Sequence, residues 1–164
     1  MQISKNFTLN EFERSMVAER KNIINKAGSG EIKNITELCY NVLEKVRIKF
    51  DEKPVRILSG LRVLELNRAI GSSDNSQHIS AKACDFEIPK VSNLAVAIYI
   101  STYLSFDQLI LEFWKKNSKD INQGWIHVSY DTEETNRKQV LTYDGKDYTN
   151  GLPEAKWSGG KMSN

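Results

Sequence analysis

Apolar residues recur at helical spacing through the first third of the chain and gather into short runs further on. Ile35, Leu38, Val42, Leu43 and Val46 share one face of a helix expected over 35–49, with Asn34 before it and Asp51-Glu52-Lys53-Pro54 as its stop. Upstream, Thr8-Leu9-Asn10-Glu11 is a capping-box pattern that predicts a helix over 8–20, with Phe7 placed to pack on Phe12. Residues 26–30 read as a loop, 55–59 as a strand, 61–70 as a short helix and 71–77 as a polar loop. A strand over 83–88 closes at Pro89, and the apolar stretch 93–104 predicts a buried helix. Strands follow at 106–113, 124–130 and 138–143. In the second of these, alternation sends Ile126, Val128 and Tyr130 to the core and Trp125, His127 and Ser129 to the other face. Helices early and strands late predict an α+β single domain. From Asp144 onward the composition predicts a loosely structured tail, with Trp157 as its anchor.

A chain of 164 residues suits one domain. It buries roughly two-thirds of its unfolded surface, so folding requires neither disulfide nor structural metal. Cys39 and Cys84 are expected as buried free thiols. Twenty-three basic against 21 acidic residues, with no long run of either sign, argue for no nucleic-acid partner. No stretch reaches the ~20 apolar residues of a membrane span, so no membrane insertion is expected. The opening MQISKNFTLNEF lacks the pattern of a secretory signal, which predicts synthesis in the cytoplasm without a signal peptide.

Chemistry concentrates at the two histidines, His78 and His127. Asp85 lies seven residues after His78 inside the apolar run Ala83-Cys84-Asp85-Phe86, where a carboxylate is costly unless paired or bound to a cation. Two imidazoles and one carboxylate form a catalytic type of zinc set, leaving one tetrahedral position open. Spacing alone also allows a solvent-facing His78, a salt-bridged Asp85 and a packed His127.

The segments Ser59-Gly60-Leu61-Arg62, Asn67-Arg68-Ala69-Ile70-Gly71, Ser76-Gln77-His78 and Ala83-x-Asp85 together resemble the zinc D-Ala-D-Ala carboxypeptidase-like peptidases. These are LAS metallopeptidases, a group that includes phage L-alanyl-D-glutamate endolysins. Phe7-Thr8-Leu9-Asn10-Glu11-Phe12, the run from Phe106 to Glu112 and Trp125–Ser129 are similar to a short phage and prophage subgroup. The resemblance covers about residues 6–145. It implies a hedgehog/DD-peptidase-like fold, a small antiparallel sheet carrying the site and flanked by helices, with a zinc peptidase domain at 1–145 and a peripheral tail at 146–164. It implies one zinc ion on His78, Asp85 and His127, with Arg62 on the substrate carbonyl or its oxyanion. Ser76 would orient the first ligand or touch substrate, with Gln77 a further contact.

Many members of this family carry an acid three residues before the last histidine, where this chain has Gly124. Glu112, at the end of the preceding strand, is the replacement general base, and alternation puts Asp107 on the opposite face. Ala81 stands where glycine is usual, and Val63-Leu64 where Ser-Pro commonly follows the arginine. The implied substrates are peptidoglycan stem peptides, cut by an endolysin-like endopeptidase or a D,D-carboxypeptidase. The implied place of action is the cell wall, reached by release at lysis, on a virion or through a holin-type system. The alternatives are a catalytically weak or inactive zinc-binding relative that binds cell wall or virion, a metal-free interaction protein and, more remotely, a zinc nuclease.

Overall fold

Alternation along the strands sorts the central sheet into an apolar face and a polar face. The computed structural model of the chain describes residues 1–164 except 117, 134, 155, 159, 160 and 164; for 156–158 and 161–163 it describes the backbone alone. Helices α1 (Leu9–Glu13), α2 (Met16–Lys21), α3 (Ser29–Leu38) and α4 (Glu44–Lys49) come first, with one π-helical turn, Cys39–Leu43, joining α3 to α4. Then follow β1 (Arg56–Ser59), α5 (Leu64–Ala69), β2 (Ala83–Glu87), α6 (Asn93–Tyr103), β3 (Gln108–Glu112), β4 (Trp125–Ser129), β5 (Gln139–Tyr143) and β6 (Tyr148–Asn150). Six strands make one sheet in the order β1-β2-β4-β3-β5-β6, antiparallel throughout except for the parallel β3–β5 pair. This is a single-domain α+β fold.

Ile57, Cys84, Phe86, Leu109, Leu111, Ile126 and Val128 line the apolar face and are almost wholly buried. They pack in one core with Ile35, Leu38, Val42, Leu43 and Val46, and with Val96, Ala97 and Ile100 of α6. Full burial of each large aliphatic side chain contributes about 1.5–3 kcal/mol. Both cysteines are buried free thiols.

Several boundaries differ from the sequence expectation. The first helix breaks at Arg14, whose extended backbone (ψ 135°) lets Nη2 donate to Ile57 O at 2.9 Å; Ser15 then caps α2. Glu11 does reach back to the Thr8 N–H (2.7 Å), and Phe7 packs on Phe12. The long helix begins at Ser29, because Gly28 with Glu31 forms its start and Asn34 instead donates to Ser80 O. Residues 61–63 lie outside the helix, which begins at Leu64. Their N–H groups go to Phe12 O, His78 O and Asn25 Oδ1, three long-range partners that outcompete the first helical turn.

Past Tyr143 the sheet continues. Asp144 Oδ1 accepts from the N–H groups of Lys146 and Asp147 at 2.8 Å each, and this turn returns the chain as β6. Beyond it, β7 (Lys156–Ser158) pairs with β8 (Lys161–Ser163) in a separate hairpin; the side chain of Trp157 lies outside the described residues.

Candidate metal centre

The sheet register brings the carboxylate and the second histidine together. Asp85 on β2 lies directly opposite His127 on β4, so both side chains leave the same face. His127 Nδ1 stands 3.0 Å from Asp85 Oδ1. The start of β4 is held by two amides, Asn93 buried and Asn122 half-buried. Asn93 Nδ2 donates to the carbonyls of Asn122, Gln123 and Gly124, and Asn122 Nδ2 donates to those of Ile88 and Val91.

His78 arrives from the loop between α5 and β2. Asn67 Nδ2 holds the Ser72 and Ser73 carbonyls, and Ser76 Oγ accepts the His78 N–H at 3.4 Å. The His78 carbonyl accepts from the N–H groups of Arg62 and Ala81. Its ring is buried, and Nδ1 donates to Gly60 O at 2.7 Å. That bond places the proton on Nδ1 and leaves Nε2 with a lone pair. Nε2 then faces His127 Nδ1 at 3.2 Å and Asp85 Oδ1 at 3.3 Å.

This triangle fits a cation. A lone pair set against a carboxylate oxygen is repulsive, and the one proton of His127 Nδ1 cannot serve both neighbours. Two donors about 2.0–2.1 Å from a tetrahedral zinc stand roughly 3.3 Å apart, close to the observed spacing. Burial pushes the His78 imidazole below its ordinary value and keeps it neutral, against the pull of Asp85. Burial also works against the Asp85 carboxylate, but the two imidazoles of His78 and His127 beside it outweigh burial and hold its carboxyl below the ordinary value. Both states suit metal ligands. His78, Asp85 and His127 are the cluster of metal-binding character among the described residues.

Arg62 and Glu112 complete the charged surroundings. Arg62 is half-buried, and its Nε is buried without a partner among the described residues. Burial lowers its guanidinium, opposed by the charges of Asp85 and Glu112. Glu112 pairs in register with Trp125, two residues before His127. Burial raises its carboxyl, Asp85 adds to the rise, and His127 and Arg62 oppose it.

Gln77 and Asp107 form a different arrangement. Gln77 Nε2 donates to Asp107 Oδ2 (2.7 Å), and Arg137 clamps the same carboxylate through Nε and Nη2. This pulls the Asp107 carboxyl down to about 2, the Arg137 hydrogen bond leading.

Two contributors escaped the sequence reading. Gly60 supplies the carbonyl that orients His78, and a Cβ there would stand 2.7 Å from the Phe12 backbone. Asn25, buried, ties Glu13 O, Leu61 O and the Val63 N–H around the Arg62 segment. A backbone carbonyl leaves no trace in residue type, and Asn25 sits in an ordinary polar stretch.

A sequence model described as Peptidase M15 matches residues 5–129, well over half of the chain and inclusive of every residue of the centre. No curated protein matches the chain.

Proposed function

With this chain a member of the peptidase M15 family, we propose that it is a zinc peptidase that hydrolyses peptidoglycan stem peptides, with residues 1–145 as its catalytic unit and the segment from 146 onward, which opens with the edge strand β6, peripheral to it. The observation that carries the reading is the convergence of His78 Nε2, Asp85 Oδ1 and His127 Nδ1 to 3.0–3.3 Å on a sheet face that also bears Glu112. These three side chains would hold one zinc ion. Bound there, zinc supplies Lewis acidity for a peptide carbonyl and lowers the pKa of water.

The remaining work falls to the chain's own groups. Glu112, its carboxyl raised by burial, takes the proton of the attacking water and returns it to the leaving amine. Arg62 offers its guanidinium to the oxygen that gains charge during attack. Ser76 fixes the His78 backbone, and Gln77 braces the same loop from Asp107. The resemblance to phage-type relatives adds the finer reading of an endolysin-like endopeptidase, released at lysis or carried by a virion; trimming of a terminal D-Ala is the other cut open to this site. No helix among the described residues is long and apolar enough to cross a membrane.

Purified peptidoglycan digested with and without chelator, its fragments weighed by mass spectrometry, tests activity, metal need and bond together. Release of stem-peptide fragments that stops on chelation is expected. Zinc content is expected near one per chain and lost in His78→Ala; an unchanged zinc content would remove the ligand assignment.

A second reading has one specific observation behind it. Gly124 occupies the position where the resemblance gives many members an acid, which suits a non-catalytic wall- or virion-binding relative. Glu112→Ala separates the two. Loss of about 10²–10⁴-fold in hydrolysis with zinc retained excludes the binding-only reading; no hydrolysis by the wild type at all favours it.

A further inference from the structure

The polar face of the sheet extends beyond the metal centre as a register-matched row. Trp125 on β4 pairs with Glu112 on β3, Glu112 with Tyr143 on β5, and Tyr143 with Tyr148 on β6. Directly paired residues share a face, so all four side chains stand on the side of His127 and Asp85. Phe113 joins them. Its φ of 54° turns the chain so that its ring meets Trp125 at 4.7 Å and Tyr143 at 5.1 Å. Tyr148 stacks on Tyr143, with centroids 4.5 Å apart and planes 25° apart. The result is an aromatic wall that starts beside the general-base candidate and runs outward.

Core packing does not account for this wall. Tyr148 is 57% exposed and Phe113 38% exposed. Trp125 Nε1 is buried without a partner among the described residues. Tyr143 and Tyr148 also lie past residue 129, where the family match ends.

From these observations we infer that Tyr143 and Tyr148, backed by Phe113 and Trp125, form a subsite for an N-acetylated sugar ring joined to the stem peptide. The inference rests on the peptidase reading above and names a specificity element of that site. An open aromatic face suits a pyranose, which presents C–H groups on its faces. Position agrees. Strands lie about 4.8 Å apart, so Tyr143 and Tyr148 stand roughly 10–14 Å from the strand of His127. A side chain next to the cut bond does not reach that far, whereas the sugar-bearing end of an extended stem peptide does. Charge agrees as well: Glu112 is the one charged member of the row, so the outer wall attracts a neutral ring over the carboxylates of the peptide.

The test compares kcat/KM for a muramyl-linked stem peptide with that for the same peptide without its sugar, in wild type, Tyr148→Ala and Tyr148→Phe. The wild type is expected to favour the sugar-linked peptide about tenfold, through KM, the size of one aromatic stacking contact. Tyr148→Ala should bring that ratio near one, and Tyr148→Phe should keep most of it. A parallel titration of the zinc-loaded protein with the peptide-free N-acetylglucosaminyl-N-acetylmuramic acid disaccharide reads Trp fluorescence and needs no catalysis. Saturable quenching that is lost in Tyr148→Ala supports the subsite. A wild-type ratio of one together with no quenching overturns it. If the wild type cleaves neither peptide, the peptidase reading fails, and the titration alone decides the subsite.

Discussion

Gly124 and Ala81 both take left-handed backbone, with φ of 67° and 54°, and the site depends on them differently. A Cβ on Gly124 would lie 1.7 Å from the Glu112 carbonyl oxygen. No side chain fits there, so an acid at this position is sterically barred in this backbone, and any base must come from elsewhere. Gly124→Ala is expected to cost about 3 kcal/mol or more in a denaturant titration, because strain in φ adds to a backbone clash. Ala81 stands where the resemblance leads one to expect glycine, and its backbone takes the left-handed conformation that glycine favours. Ala81→Gly relieves roughly 1 kcal/mol of left-handed strain and removes a buried methyl worth roughly 0.8 kcal/mol. The same titration should therefore show a change below about 1 kcal/mol.

Among the elements, the His78 loop is braced from three sides. Asn34 in α3 holds Ser80 O, Asn67 at the end of α5 holds Ser72 O and Ser73 O, and Asp107 before β3 takes Gln77. Asp107 also accepts from the Arg137 backbone N–H and side chain, joining the loop to the start of β5. Its carboxyl is held at about 2, chiefly by Arg137 and with Gln77 assisting. A depressed carboxyl stabilises the fold above its unfolded pKa of about 3.9 and loses that contribution as pH falls through its folded value. Asp107→Asn should thus cost about 2 kcal/mol at pH 7. Its deficit relative to wild type should shrink between pH 4 and pH 2, as thermal melts across that range would show; a constant deficit would assign the loss to packing.

The whole molecule separates folding from chemistry by using opposite faces of one sheet. Ile57, Cys84, Phe86, Leu109, Leu111, Ile126 and Val128 bury against the helices, while Asp85, His127 and Glu112 leave the other side. Zinc is therefore expected to stabilise a fold that exists without it. A hundredfold excess over Kd adds about 2.7 kcal/mol. That corresponds to roughly 5–10 °C in Tm for a chain of this size. Chelated protein should keep its far-UV circular dichroism and melt lower by this amount; unfolding on chelation would contradict the division of faces. The helix face at Ile35–Val46, the buried run Asn93–Tyr103 and the alternation of Trp125–Ser129 were all legible in the chain, because periodic burial of apolar residues is a local signal. The pairing of His78, Asp85 and His127 was expected from residue type and motif. The register of Asp85 against His127 across β2 and β4, the Gly60 carbonyl that sets the His78 tautomer, the break at Arg14, the non-helical segment at Arg62 and the aromatic row ending at Tyr148 are not. Each depends on which distant backbone group lies opposite. Local sequence therefore determined the elements and the chemical types at the site, whereas only the tertiary structure decided their mutual register, because hydrogen bonds between distant strands and loops are chosen by the assembled fold.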